Sequence, residues 1–389
     1  MAATGIGIAR DQSIFVKKET VQGTLVYPTA TDYIVAADIV TLNQKEKFEN
    51  SPKVYNSRDV TDVCQNMPSP GDWMIPVLLQ PSGVLGTAPA EDELMEATFG
   101  KKTVNAGVSV VYSQTIEKPS YSIWVKKGHT VFYASGATVN DLKLVFDNSC
   151  YVKAEFSGQF MKMGWAGSSQ LAATFTAAGT TVTVDDAKSY TVGSKIYFVN
   201  AAGTTTADNS GTGFTVTAVN TTTNVVTFTP ACPTGFAIDD WIKGFLPAGT
   251  EVGAGPSAAK KGIVKIDNVD TRTRSFEITM SDNIKYLDDE RTTSGFPESF
   301  VEGKRSVSGV ISLYFRNTDL KYFHDARNKT YKAFKLVIGD TAGSIIEFSA
   351  LRTMMEMPEI ENADPTLGIK TNIMAIGTSG EDSFSVTYK

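Results

Sequence analysis

The chain has 389 residues, 42% hydrophobic and 10% aromatic, enough to bury more than one core and to build two or three domains. Its formal net charge of -6 gives no basic footprint for gripping nucleic-acid phosphates, and no run approaches the roughly 18 apolar residues of a membrane helix. Charged residues are only 20%, and Gly and Thr recur at turn positions, which favours β structure with helix as the minority state.

In chain order, the opening MAATGIGIARDQS lacks a basic start followed by an apolar core, so no export signal is expected, and residues 1–35 read as an extended arm. A strand-like run, DIVTLNQKEKF from Asp38, leads through a long polar stretch to a second, GDWMIPVLLQ from Gly71. A short helix is expected next. Pro89 precedes Glu91, Asp92 and Glu93, acids placed where the helix dipole favours them, then come Leu94, Met95 and Phe99, and Gly100 stops it. The runs SIWVKKGHTVFYA, NDLKLVF and YVKAEFSGQFMKM then alternate with period two, the mark of half-buried strands.

From Gly164 to about Pro256 the composition shifts to Thr, Ala, Gly and Val, bounded by GWAGSSQ and PAGTEVGAGPSAAKKG, both of which read as linkers. Between them TTVTVDDA, KIYFVN, GFTVTAVN and NVVTFTP predict a small all-β module with Val184, Ile196, Phe198, Phe214, Val216, Val225 and Phe228 as its core. Such an insert should project outward, and its deletion from Gly167 to Pro256 should leave the flanks foldable.

The first order of elements then recurs. RSFEITM from Arg274 leads through another long polar stretch to RSVSGVISLYF from Arg305, and a helix capped by Asn317 carries Leu320, Tyr322, Phe323 and Ala326 and ends near Asn328. The alternating runs YKAFKLVIGD, SIIEFSALRTMMEM and GIKTNIMAIG complete it. The expected division is an arm at 1–35, a first β-sandwich at 36–165, the inserted β domain at 166–257 and a second β-sandwich at 258–389, each sandwich with one short flanking helix.

Little in the sequence points to catalysis. His129 and His324 are the two histidines, one in a turn and one on a helix, and Cys64, Cys150 and Cys232 have no paired spacing for zinc or a disulfide framework. Neither G-x-S-x-G nor a P-loop occurs. The acidic cluster Asp288, Asp289 and Glu290 lies beside Arg291 in a stretch broken by Gly and Pro, so it reads as a solvated loop. No cofactor and no enzymatic activity are expected.

The stretch SIFVKKETVQGTLVYPTATDYI, with its KKET-x-x-GT phrase, the order strand, long loop, strand, helix, strands, and the closing GIKTNIMAIGTSGEDSFSVTYK together resemble the major tail tube proteins of long, non-contractile-tailed bacteriophages (siphophages). The resemblance implies tube folds whose sheets join, six to a ring, into one inner barrel. With two copies per chain it implies trimeric rings of pseudo-sixfold symmetry, stacked into a virion tail that is assembled in the host cytoplasm. The implied partners are the chain itself, a tape-measure protein, a tail terminator or initiator complex, and DNA in transit without specific binding; no membrane is involved. Two matching long loops in compact folds point to contact with other molecules. Glu49, Lys53, Arg58, Asp59 and Asp62 in the first, and Asp288, Asp289, Glu290, Arg291, Glu298 and Glu302 in the second, are therefore expected at ring-to-ring contacts or lining the lumen. The alternative is a surface-binding module for carbohydrate or a cell surface, on a virion or secreted scaffold, with Tyr190 and Trp241 stacking on sugar rings.

Overall fold

The computed structural model describes the chain except residues 1–10, 52–58, 60–61, 147–150, 254, 256, 258–261, 291, 293 and 364–365. Strands dominate, with two short α-helices among the described residues, α1 (Asp92–Phe99) and α2 (Leu320–Arg327). This is the mainly β fold that the period-two alternation predicts.

One antiparallel sheet, hereafter the inner sheet, crosses the molecule. Its order is Thr41–Asn43, Gly71–Leu78, Lys153–Phe160, the second half of Thr130–Phe146, Ser275–Ser281, Ser306–Tyr314 and Thr366–Ala375. Glu359–Ala363 lies on the far side of Thr366–Ala375. Alternation sends Leu42, Trp73, Phe156, Leu144, Ile278, Ile311 and Ile369 to the buried face and leaves mostly polar residues on the other.

Two outer sheets cover the buried face. The first runs Tyr33–Ile34, Gln12–Lys18, Tyr121–Lys127, the first half of Thr130–Phe146 and Lys162–Ala166. The second runs Gly100–Asn105, Ser109–Gln114, Ser385–Tyr388, Ile346–Met355, Lys332–Ile338, Ile263–Ile266 and Val269–Thr271. Among the described residues these ladders run as open paths and do not close into a barrel. The sheets enclose a core that extends through both halves of the chain, with Phe276 stacked on Phe334 at 4.8 Å and Phe146 edge-on to Phe348 at 5.7 Å.

The runs SIWVKKGHTVFYA and NDLKLVF are not separate elements after the hairpin turn. Thr130–Phe146 is one 17-residue strand that passes from the outer to the inner sheet. It bends at Gly136, whose φ of +66° falls where the register with Tyr121–Lys127 shifts, and a Cβ there would lie 2.1 Å from the Met161 sulfur.

The helices form where capping chemistry sets them. Asp92 and Glu93 occupy the first turn of α1, and Gly100, at φ +90°, turns its N–H back to the Glu96 carbonyl. At α2 a 3-10 turn, Asn317–Asp319, precedes the helix, and the Asp319 carboxylate accepts the Arg316 N–H at 2.9 Å, so Asp319 holds the entry expected of Asn317.

Residues 168–244 carry their own sheet, in the order Ser168–Gln170, Trp241–Gly244, Lys195–Val199, Phe214–Asn220, Val225–Cys232 and Gly179–Thr183. Six of the seven expected core residues are buried; Val225 is half-buried, and Val226 takes the inward position. Val226 and Phe228 alternate inward along one unbroken strand, so Val225, three positions from Phe228, falls on the other face; the extra residue of the register shift lies in the partner strand Phe214–Asn220. The GWAGSSQ boundary is strand and not linker: Lys162–Ala166 pairs with Thr130–Phe146 and Ser168–Gln170 with Trp241–Gly244, so the chain passes from one sheet directly into the next. One core joins Ile196, Phe198 and Tyr190 to Phe15, Trp124 and Tyr133 of the first outer sheet.

Candidate functional site

The exposed face of the inner sheet is a continuous polar wall. Asp72, Asp141, Glu155, Glu277, Glu359 and Glu361 stand on it with Lys143, Lys153 and Lys370, and Lys143 bonds Glu277 at 3.0 Å. Acids outnumber bases there, so the wall carries no field that would hold a polyanion. The sequence signal was present, since these are the polar positions of the alternating strands.

In the middle of this sheet, residues from the two halves of the chain pair directly. Asp141 to Phe146 face Ser281 to Phe276 in antiparallel register, with Phe146 stacked on Phe276 at 5.9 Å. Behind this joint lies an ion network. Lys118, buried, bonds the buried Asp282, whose other oxygen takes the Arg305 Nε–H at 2.5 Å; Arg305 also bonds Glu381 and donates to the Thr115 carbonyl at 3.0 Å. Burial draws the Lys118 ammonium below its ordinary range, against the pull of Asp282. The sequence gives no local cue for this network, because Lys118 and Asp282 stand 164 positions apart.

A second joint lies in the outer layer, where Ser109–Gln114 pairs with Ser385–Tyr388. Tyr388 donates its hydroxyl to the buried Glu91, which also accepts the Gln80 N–H at 3.0 Å. Burial raises Glu91 to about 7 and, with the charge of Asp92, raises Glu93 to about 7 as well.

The two long loops are both hairpin arms. Phe48–Asn50 pairs with Val63–Gln65, and Lys285–Tyr286 pairs with Phe300–Val301. Their surroundings differ sharply. The second arm lies on the first half of the chain. Tyr286 is buried and donates to the Gly136 carbonyl at 2.5 Å, and Ile284 packs with Met161. The first arm's paired residues are all exposed, including Phe48 at 68%.

The residues singled out in these loops do not converge. Glu49 lies exposed in the first arm, opposite Cys64, and Asp59 and Asp62 are also exposed. Lys53, Arg58 and Arg291 lie outside the described residues. Asp288, Asp289, Glu290 and Glu298 are exposed on the second arm, Glu290 accepting from Ser299 at 3.4 Å. Glu302 is half-buried and accepts the Lys118 backbone N–H at 3.2 Å, which ties it to the joint.

His129 is exposed in its turn, and His324 is exposed on α2, bonded to Asn328. In the inserted sheet Tyr190 is buried and donates to the Ile242 carbonyl at 3.0 Å, so its ring has no face for a sugar. Trp241 is half-buried with Lys243 above it at 5.7 Å.

The family model described as phage tail tube protein matches residues 198–387, just under half of the chain. A chain in the solved virion of a native gene transfer agent particle is similar at 15% identity and a TM-score of 0.25, over 31% of this chain and 93% of that one. No curated protein matches. The family match, which takes in the second half of the inner sheet, supports a phage tail tube protein and with it a structural component of the virion tail.

Proposed function

We propose that this chain is the repeating subunit of a siphophage tail tube, a duplicated tube fold (36–165 and 258–389) with an inserted β module (166–257). Three chains form a ring of pseudo-sixfold symmetry, and rings stack into the conduit for DNA. The observation that carries this reading is the ladder between Asp141–Phe146 and Phe276–Ser281, which fuses the two halves through their inner sheets.

Register supports the duplication. Moved by 236 positions, Thr41↔Met74 and Leu42↔Trp73 become Glu277↔Val310 and Ile278↔Gly309, both of which are native pairs. Moved by 211 and 216 positions, Lys127↔Thr130 becomes Ile338↔Ile346, and Tyr121↔Ala137, beyond a register break, becomes Lys332↔Thr353, beyond the same break. The 236-position shift holds on both sides of the long loops, so the two arms are equal in length.

Each half thus contributes four strands to the inner sheet, and each chain leaves an open edge at either end. Open edges call for partners, and a head-to-tail ring closes them. Three such chains, roughly 24 strands spaced about 4.8 Å and tilted about 40°, close at a backbone diameter on the order of 48 Å. Two chains would close at about 32 Å, which side chains narrow further. The mildly acidic wall suits DNA passing without specific binding, and the tape-measure protein would occupy the same space during assembly, between initiator and terminator complexes.

Sedimentation and electron microscopy of the purified chain test this. The expected result is rings of three 41.9 kDa chains that stack into tubes as concentration rises. A monomer at every concentration and salt, even with an initiator complex present, would refute it.

A further inference from the structure

The joint inside the chain specifies the joint between chains. Shifting Thr130–Phe146 by 216 positions and Ser275–Ser281 back by 236 carries the internal ladder onto two edges that lie open at opposite ends of the inner sheet: 357–362 and 40–45. In the internal ladder Leu144 faces Ile278. Their counterparts are Ile360 and Leu42.

We infer that in the assembled ring the edge 357–362 of one chain pairs antiparallel with 40–45 of the next, with Ile360 opposite Leu42 and Glu359 opposite Asn43. This rests on the ring reading above and adds the register to it.

Burial supports the assignment independently. Ile360 is 56% exposed, whereas Leu144, its counterpart, is fully buried under the ladder with Ser275–Ser281. Phe48 is 68% exposed, whereas its counterpart Ile284 is 8% exposed because the second arm lies on the first fold. The surface that the first arm would meet on the next chain corresponds to Thr138 and Gln159, and holds Met354 and the exposed Met374. Ile360 on one edge and Phe48 on the arm that follows the other are left open where the internal joint covers their counterparts, while Leu42 is already buried within its own chain.

Charge agrees as well. Glu46 corresponds to Asp282, and continuing the 211-position shift of Tyr121–Lys127 three residues back makes Lys329 the counterpart of Lys118. Glu46 and Lys329 are both exposed in the single chain. The ring would bring them together as the internal joint brings Lys118 to Asp282.

Cysteine pairs in the full-length chain, with Cys64, Cys150 and Cys232 changed to Ser or Ala, test the register. Within one chain the two edges are separated by the whole inner sheet, so a disulfide between them must join two chains. Opposed residues in an antiparallel ladder have Cα atoms about 4.5–5.5 Å apart, within disulfide reach. Oxidised Asn43→Cys/Glu359→Cys should give covalent dimers and trimers, at least tenfold more than the slipped pair Asn43→Cys/Glu361→Cys. Rings visible by microscopy with the slipped pair linking equally or better, or with neither linking, would overturn the register while leaving the ring. Absence of both rings and links would overturn both.

A second test keeps the native cysteines. Lys329→Glu should raise the concentration needed for ring formation at least tenfold, and Glu46→Lys in the same chain should restore it. Failure of the double variant to recover, with both chains folded by circular dichroism, would contradict the contact.

Discussion

Glu91 is the clearest case of a residue whose chemistry follows from where the fold puts it. Buried between the Tyr388 hydroxyl and the Gln80 N–H, its carboxyl is raised to about 7, above its value in the unfolded chain. The folded protein therefore holds a proton that the unfolded chain releases. The stabilisation is complete below the unfolded value near 4.5 and is lost as pH rises toward 7, on the order of 3 kcal/mol in all. Thermal melts from pH 5 to 8 should fall in wild type and fall less steeply in Glu91→Gln, where Glu93 still titrates in the same range; an unchanged slope would contradict this. Asp282→Ala leaves Lys118 and Arg305 buried without their shared carboxylate, and should cost about 3–5 kcal/mol in a denaturant titration. The acids of α1 and its stop at Gly100 were legible in sequence because capping is local. The ion network was not, because it is assembled by topology from residues far apart in the chain.

Among elements, period-two alternation located most strands, since one buried face imposes it. It failed in two places. Val225 and Phe228, three positions apart, cannot share a face of an unbroken strand, so Val226 takes the inward position, and Gly136 bends one long strand that reads as two. The two arms were visible as long loops of matching position, but not their different fates. Sequence cannot separate an arm docked within its own chain from one left exposed. The insert is more firmly seated than its composition suggested, since Phe15, Trp124 and Tyr133 share its core. Removing Gly167 to Pro256 uncovers these three rings, at roughly 1.5–3 kcal/mol for each large side chain. The deleted protein should melt well below wild type by calorimetry; an equal melting temperature would mean that the insert contributes nothing to the outer sheet.

For the whole molecule, the order of elements suggested a duplication, and the coincidence of register breaks supports it more strongly than any residue identity. In the proposed reading the function rests on symmetry: edges matched inside the chain imply edges matched between chains. The measurement that tests this most directly is a cryo-electron microscopy reconstruction of tubes grown from the full chain. The expected result is three chains per ring, an inner wall of near-sixfold symmetry made continuous by the ladder between 357–362 and 40–45, and an outer surface marked threefold by the inserted module. Six chains per ring, or an inner wall broken between chains, would contradict it.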